Sequence, residues 1–271
     1  MRKVMLVLAV AGMALASISC QQLKARDQLN KGVQAFRNAQ YPEAVEHFKV
    51  AVDLDPSFPV ARLYLATAYM QQYIPGANSP ENKQMAQAAH DQFMKVLEQS
   101  PKDKVAMASI ASLYLNEKEW DNAQQWFEKL IAIDPNNAEA YYSMGFIAWS
   151  KWFPAYGTAK ANLGMKQEDP GPIKDKKVRE ELKAKYGPVV DAGLAALDKA
   201  LQINPEYDDA MAYENLLVRE RADLMDNREQ WEKQIKVADD WFQKTVETRK
   251  RRQEKKGEGA GGIVADQPAT K

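Results

Sequence analysis

A repeating unit of about 34 residues constrains the fold of this chain more than any other feature. Residues 104–135 contain two stretches in which apolar residues recur every three or four positions, joined by a short polar turn at residues 116–119. Small, aromatic and proline residues mark the two stretches: Ala111, Tyr114, Ala123, Phe127 and Pro135. This pattern predicts a helix–turn–helix unit, because small residues allow two helices to approach closely and aromatic residues fill the space between them.

The unit resembles the tetratricopeptide repeat, and its pattern recurs along the chain. The repeats lie near residues 25–56, 59–101, 104–135, 138–205 and 208–256. The first and third match the family well, whereas the fifth is degenerate and is expected to cap the array. The resemblance implies an all-α fold, a right-handed superhelix (α-solenoid) of stacked helix pairs with a long C-terminal capping helix. Residues 257–271 are small and polar, and we expect a disordered tail there.

Two of the repeats carry inserts. In the second, Ser79 followed by Pro80 has the sequence of a helix N-cap and a first-turn proline. We therefore predict a longer loop and extra turns on the second helix of that repeat. In the fourth, an insert at about residues 150–187 separates the first helix from a second helix predicted over residues 189–203.

Residues 1–19 have the composition of a secretory signal peptide. Arg2 and Lys3 precede an apolar run over residues 4–16, and small residues follow the run. The run is shorter than the roughly 20 residues that a membrane-spanning helix needs. Cys20, the only cysteine of the chain, comes directly after these residues and cannot form an internal disulfide.

The position of Cys20 resembles the lipidation site of bacterial lipoproteins. That family usually has leucine three residues before the cysteine, and Ser17 stands there in this chain. Cleavage after Ala16 by the ordinary signal peptidase is the alternative. The resemblance implies an exported protein held in the bacterial cell envelope by a lipid anchor. Gln21 follows the cysteine in place of the aspartate that retains lipoproteins at the inner membrane, so we expect the outer membrane, facing the periplasm.

In the tetratricopeptide family the first helix of each repeat lines a concave groove that binds partner segments. The groove residues carried over from that resemblance are Leu29, Val33, Phe36, Arg37, Leu63, Thr67, Met70, Ser112, Leu115, Asn116, Tyr142, Phe146, Trp149 and Arg219. Chaperone-binding members clamp a terminal carboxylate with lysine and asparagine on the first repeat. Leu29 and Val33 occupy those places here, so that activity is not supported. An apolar groove either binds a peptide through apolar anchors or is filled by the chain's own insert or terminal helix.

Two further clusters leave more than one interpretation open. Four aromatic residues within residues 149–156 indicate either an interface hot spot or a local packing core. The basic run at residues 249–256 is typical of a solvated helix end, where cations suit the helix dipole, and such runs also bind acidic lipid headgroups or nucleic acid.

Catalytic chemistry has little support in the sequence. The two histidines, His47 and His90, have no neighbouring ligands at metal-binding spacing, and neither a phosphate-binding glycine loop nor a nucleophile motif occurs. We therefore predict no enzyme activity, no catalytic or metal-binding residue and no cofactor. Basic and acidic residues number 37 each, so the net charge gives no reason to expect nucleic acid as a partner.

These features predict an exported, lipid-anchored scaffold that binds another protein, either as a peptide segment or as a subunit of an envelope complex. The alternative is an accessory protein of the cell wall that binds peptidoglycan through its aromatic insert at residues 149–156.

Overall fold

Helices form all of the regular secondary structure in residues 2–260, the part of the chain that the computed structural model describes, with side chains described for residues 20–255. In chain order the helices are α1 Arg2–Arg37, α2 Tyr41–Leu54, α3 Pro59–Gln72, α4 Pro80–Gln99, α5 Lys104–Asn116, α6 Trp120–Ile133, α7 Ala138–Asn162, α8 Lys176–Ile203, α9 Asp208–Ala222 and α10 Arg228–Ala260. The predicted all-α fold is confirmed, since residues 2–260 contain no strand.

The helices form two compact units, Met1–Ile133 with α1 to α6 and Asp134–Lys271 with α7 to α10. In the N-terminal unit α1 packs on α2, α3 on α4 and α5 on α6, while α2 and α4 also pack on the helix that follows each. In the C-terminal unit α7 packs on α8 and α9 on α10, and both α7 and α8 contact α9. Each unit is therefore a stack of helix pairs.

Small residues lie where paired helices cross. A Cβ atom at Gly32 of α1 would come within 2.4 Å of the Phe48 ring of α2. A Cβ atom at Gly145 of α7 would come equally close, 2.4 Å, to the Leu197 side chain of α8. Because these interiors are close-packed, only glycine leaves room for the large side chain that fills each crossing.

The start of α4 confirms the predicted N-cap. The Ser79 hydroxyl accepts a hydrogen bond from the Asn82 N–H at 3.1 Å, and Pro80 occupies the first turn. The Asn82 side chain is buried and bonds to the backbone of Ile74 and Ala77, which closes the preceding loop. With 20 residues against the 14 of α2, α4 also has the predicted extra turns.

The insert of the fourth repeat prolongs both of its helices, and this corrects the predicted boundary. α7 has 25 residues and α8 has 28, so α8 begins at Lys176 rather than at residue 189. Pro154 and Pro188 lie inside these two helices. The prediction was wrong because proline usually marks a helix start or stop.

Packing explains why α8 continues through its proline. Leu182 and Val190 lie on either side of Pro188, and both are buried in the hydrophobic core of the C-terminal unit. Burial of apolar side chains before and after the proline stabilises one continuous helix against the cost of a missing hydrogen bond.

The sequence predicts an apolar stripe on the capping helix at Trp231, Ile235, Ala238, Trp241, Phe242 and Val246, and the face that α10 turns toward α9 follows this stripe only in part. Ala238, Thr245 and Thr248 are buried, whereas Phe242 and Val246, which the sequence placed in the stripe, are exposed. α10 packs along α9, and the two buried threonines lie outside the predicted stripe. The capping helix is present as predicted.

Both ends of the chain carry predictions that the structure tests only in part. α10 continues to Ala260, so residues 257–260 of the predicted tail are helical, and residues 261–271 lie outside the described part. The predicted signal peptide, residues 1–19, has no described side chains and stays a prediction. Cys20 is exposed and has a free thiol. Among the described residues, no helix is long and apolar enough to cross a membrane.

Candidate partner-binding surface

The predicted groove residues of the N-terminal unit lie on the first helix of each of its three pairs, α1, α3 and α5. Arg37 is exposed, and the other nine side chains are half-buried: Leu29, Val33, Phe36, Leu63, Thr67, Met70, Ser112, Leu115 and Asn116. The three on α1 that are half-buried rest on the core around Phe48, and Leu63 and Met70 rest on the core around Phe93. These side chains are thus held by the interior and keep part of their surface accessible.

In the C-terminal unit the predicted groove residues Tyr142, Phe146 and Trp149 belong to an aromatic cluster. Tyr213 of α9 contacts all three, with ring centroids 5.8, 5.3 and 5.4 Å away, respectively. Trp149 also stacks on Phe153 at 4.8 Å. All five rings are half-buried. Burial raises the pKa of Tyr142 above its ordinary value, so its hydroxyl stays protonated. Sequence reasoning did not assign Tyr213 to the groove.

The remaining aromatic residues of the insert are core residues. Trp152 is fully buried and Tyr156 nearly so, within one hydrophobic cluster that also contains Ile173 and Leu197. This burial supports the packing-core interpretation of residues 149–156 over an exposed hot spot.

A buried ionic network joins α7, α10 and the C-terminal end of α9. Asp223 Oδ2 accepts hydrogen bonds from the Lys160 ammonium and the Tyr156 hydroxyl, each at 2.8 Å, and Oδ1 accepts one from the Trp231 indole at 2.7 Å. Lys160 also donates to the Gln167 carbonyl at 3.0 Å. Lys160 and Asp223 are 1% and 4% exposed, so this ion pair lies in the interior with its hydrogen bonds satisfied. No sequence motif indicates this ion pair, because its two residues are 63 positions apart.

Two glutamates of α9 are buried with much less compensation. Glu220 Oε1 accepts a hydrogen bond from the Trp149 indole at 3.1 Å, but Oε2 has none. Burial raises the pKa of Glu220 to about 7, although the indoles of Trp149 and Trp152 favour its ionised form. The Trp152 indole N–H is buried without a hydrogen-bond partner, but it still lowers the pKa of Glu220. Glu214 Oε2 also lacks a partner, and burial, followed by the charge of Asp198, raises the pKa of Glu214 to about 8.

α10 packs against one side of α9 and forms hydrogen bonds with it, one of them to the predicted groove residue Arg219. The Arg219 guanidinium donates to Asp239 at 2.6 Å, and the Asn215 amide donates to the Ala238 carbonyl at 2.5 Å. α10 thus stands where the second helix of a fifth pair is expected. This placement fits a cap, and it leaves the aromatic residues of α7 in contact with Tyr213.

The basic run of α10 is paired with the acidic start of α9. Arg249 donates to Asp208 at 2.9 Å and to Asp209 at 3.0 Å, and Arg252 also bonds Asp208. Lys255 lies 3.9 Å from Glu206. These half-exposed pairs are individually weak, but together they fix α10 against the beginning of α9. They favour a structural role for these arginines over lipid or nucleic-acid binding.

The histidines take part in packing contacts. His47 Nδ1 lies 2.8 Å from Gln28 Oε1, and His90 Nε2 lies 3.1 Å from the Tyr114 hydroxyl. Within the residues that the structure describes, no group of three or more His, Cys, Asp or Glu side chains is arranged to hold a metal ion.

Comparisons with known proteins identify the architecture. A family model described as a TPR repeat matches residues 111–151. The solved structure of MamA from residue 41 to its end, from Desulfovibrio magneticus RS-1, superposes with a TM-score of 0.57 at 19% identity, covering 84% of this chain and 96% of that one. The fold is a tetratricopeptide-repeat solenoid.

Two further proteins match over shorter or more divergent stretches. YrrB, described as a TPR protein with an unusual peptide-binding site, superposes with a TM-score of 0.50 at 15% identity, covering 82% of this chain and 90% of that one. The mitochondrial import receptor subunit TOM70 of Rattus norvegicus is 27% identical over 105 residues, 39% of this chain and 17% of that protein. The match therefore spans about a sixth of that curated relative. The tetratricopeptide-repeat fold supports a protein–protein interaction scaffold.

Proposed function

We propose that this tetratricopeptide-repeat protein binds a segment of another protein on the first helices of its repeats. The observation that carries the proposal is the partial accessibility of the predicted groove residues in each unit. Nine of them are large apolar side chains, all half-buried: Leu29, Val33, Phe36, Leu63, Met70 and Leu115 in the N-terminal unit, and Tyr142, Phe146 and Trp149 in the C-terminal unit. Partly accessible apolar and aromatic anchors are what a bound peptide uses. The peptide-binding site named for YrrB is consistent with this use of the fold.

The proposal extends to location. The protein is exported, carries a lipid on Cys20 and is held at the outer membrane facing the periplasm, where its partner is a subunit of an envelope complex. Support comes from the signal-like residues 1–19 and from the exposed thiol of Cys20. Among the side chains that the structure describes, residues 20–24 are all exposed and the first buried one is Ala25, so a lipid at position 20 would not disturb the core.

Binding to peptidoglycan through residues 149–156 has less support, because Trp152 and Tyr156 are buried in the core. Retention of the purified protein on isolated peptidoglycan, and loss of that retention in Phe153→Ala, would favour this second function over the first.

Partner binding is tested by placing a charge on the proposed surface. The partner is captured from membrane extract, identified, and its affinity measured for Met70→Glu and Leu115→Glu. Each should weaken binding by about fivefold or more, the loss typical of interface anchors. Val50→Glu is the matched control, since Val50 is a partly exposed apolar residue on α2, the second helix of its pair. An equal loss in the control and the two surface variants would place the binding site elsewhere.

The anchor is tested separately with Cys20→Ser. The wild-type protein should fractionate with membranes and carry a diacylglycerol on Cys20, and the variant should move to the soluble fraction. Mass spectrometry of an unmodified mature chain that begins at Ser17 would refute lipidation and indicate the ordinary signal peptidase.

A further inference from the structure

A cavity of about 300 Å³ lies in the C-terminal unit, next to the proposed binding surface. The predicted groove residue Arg219 forms part of its wall, and the rings of Tyr156 and Trp231 form another part. Four carboxyl groups also line it: Glu168, Asp169, Glu220 and Asp223. The cavity is therefore aromatic and acidic in character.

The charges of this cavity are unequally compensated. Asp223 is fully bonded by Lys160, Tyr156 and Trp231, as described above. The Arg219 guanidinium is paired with Asp239 at 2.6 Å. The ammonium of Lys160 bonds Asp223, the Tyr156 hydroxyl and a backbone carbonyl, so its three donors are already used. The Lys160 ammonium therefore has no hydrogen bond left to give, whereas the Arg219 guanidinium, which has five N–H donors, makes its bond toward Asp239 and not toward the carboxyl groups of the cavity.

Glu220 is the group that lacks compensation. It lines the cavity and is 4% exposed, and its Oε2 is buried without a hydrogen bond. A buried carboxylate oxygen without a donor is costly, and an incoming cation that donates to it offsets that cost. The Lys160 ammonium already lies over the Tyr156 ring, 5.4 Å from its centroid, and a further cation over the Trp231 ring would gain the same kind of attraction, because aromatic rings are negative above their planes.

We propose that this cavity receives the ammonium group of a lysine side chain from the partner segment, with Glu220 as its ion-pair partner. The inference rests on the proposed function and refines it, because it places a basic residue next to the apolar anchors in the bound segment. The aliphatic part of that lysine would lie against Leu216 and Ile235, which also line the cavity.

Lysine binding at Glu220 should depend on pH. The pKa of Glu220 is raised to about 7 by burial, with the neighbouring Asp223 raising it and Lys160, Trp149 and Trp152 lowering it. Because a lysine ammonium stays charged through this range, its binding should follow the ionisation of Glu220. Affinity should therefore rise about tenfold between pH 6 and pH 8.

The experiment uses the full chain and a small probe, N-acetyl-lysine methylamide, titrated while the indole N–H signals of the tryptophans are followed by NMR. Trp149 donates to Glu220 and Trp231 donates to Asp223, so both signals report on the site. We expect both to shift with the probe at pH 8. N-acetyl-norleucine methylamide, which has the same chain length without the charge, should produce no such shift.

Glu220→Gln removes the charge and keeps an acceptor for Trp149, so it should lose the lysine-dependent shift. Glu214→Gln is the matched control, since Glu214 is a second buried glutamate of α9 with an unbonded Oε2 that does not line the cavity. It should bind the probe as the wild type does.

Two results would overturn the inference: an equal shift with lysine and norleucine probes, or unchanged lysine binding in Glu220→Gln. If Glu220→Gln does not fold, binding to the wild type that is equal at pH 6 and pH 8 would refute it independently. The two proposals can also fail separately. If Met70→Glu and Leu115→Glu weaken partner binding but Glu220→Gln binds the partner as tightly as the wild type does, the proposed function stands and only the lysine site is rejected.

Discussion

Glu214 should make this protein less stable as the pH rises, and Glu214→Gln should remove that effect. Glu214 is 5% exposed, and its Oε2 has no hydrogen bond. Burial and the charge of Asp198 raise its pKa, and Arg221 lowers it by a smaller amount. The Arg221 guanidinium donates to Asp191 at 3.1 Å and to Gln234 at 3.0 Å, and its buried Nε has no hydrogen-bond partner, so Arg221 lowers the pKa of Glu214 through its charge.

The sign and size of this change in the free energy of unfolding follow from the linkage between protonation and folding. The pKa of Glu214 is about 8 in the folded chain, against an ordinary value of 4.5. Between these values the folded state holds a proton that the unfolded state has released, so the free energy of unfolding falls as the pH rises. The slope is up to about 1.4 kcal/mol per pH unit. From pH 6 to pH 8 the loss is about 2 kcal/mol, because Glu214 itself begins to ionise near the upper limit.

Urea unfolding of the wild type and Glu214→Gln at pH 6, 7 and 8 measures this. We expect similar free energies of unfolding at pH 6 and an advantage for the variant that grows to about 2 kcal/mol at pH 8. Glu180→Gln, at an exposed glutamate of α8, is the control and should run parallel to the wild type. A Glu214→Gln curve that also runs parallel to the wild type would mean that Glu214 is ionised in the folded protein at pH 6.

Two other changes test packing and the buried ion pair by the same assay. Gly145→Ala should destabilise the protein by about 1–3 kcal/mol, because its Cβ would lie 2.4 Å from Leu197, whereas Gly157→Ala on the same helix meets no atom within 4 Å and should stabilise it by up to about 1 kcal/mol. Equal effects would show that the crossing is not tightly packed. Lys160→Met should cost about 3–5 kcal/mol by leaving Asp223 buried without a cation, and adding Asp223→Asn should recover part of that loss. A double variant no more stable than Lys160→Met would argue against an ionic cause.

The regular part of the fold could be predicted because its determinants are local. The sequence predicts two small residues, Gly32 and Ala44, where α1 crosses α2, and both are buried. A Cβ atom at Gly32 would meet the Phe48 ring, and Ala44 belongs to the same hydrophobic cluster as Phe48. The Ser79–Pro80 start of α4 follows from the chemistry of one turn. Sequence spacing carries such features because every residue involved lies within one helix pair.

The irregular part could not be predicted because it depends on contacts between distant residues. The continuous α8 passes through Pro188, against the usual effect of proline, because Leu182 and Val190 are buried on both sides of it. The ion pair of Lys160 and Asp223 joins residues 63 positions apart, and neither has a motif of its own. Tertiary packing decides both, and a single sequence does not record it.

One signal in the sequence did point to the unusual chemistry of the C-terminal unit. Glu214 and Asn215 occupy the positions where the repeat usually has small residues, which made the fifth repeat look degenerate. In the structure both are buried in α9, and Asn215 is satisfied by the Ala238 carbonyl of α10. A departure from the repeat pattern therefore marked a place where polar groups enter the interior.

The two uncompensated glutamates of α9 should differ in their effect on binding, because only one of them lines a cavity. Glu214 and Glu220 are both buried with an unbonded Oε2, so both reduce stability when they ionise. Replacing Glu214 should therefore stabilise the protein with no loss of binding. Replacing Glu220, which lines the cavity, should also stabilise it at high pH but abolish capture of a lysine side chain. A stability cost that is matched by a binding gain is the usual trade-off at a functional site, and the contrast between these two variants separates a site from a flaw in packing.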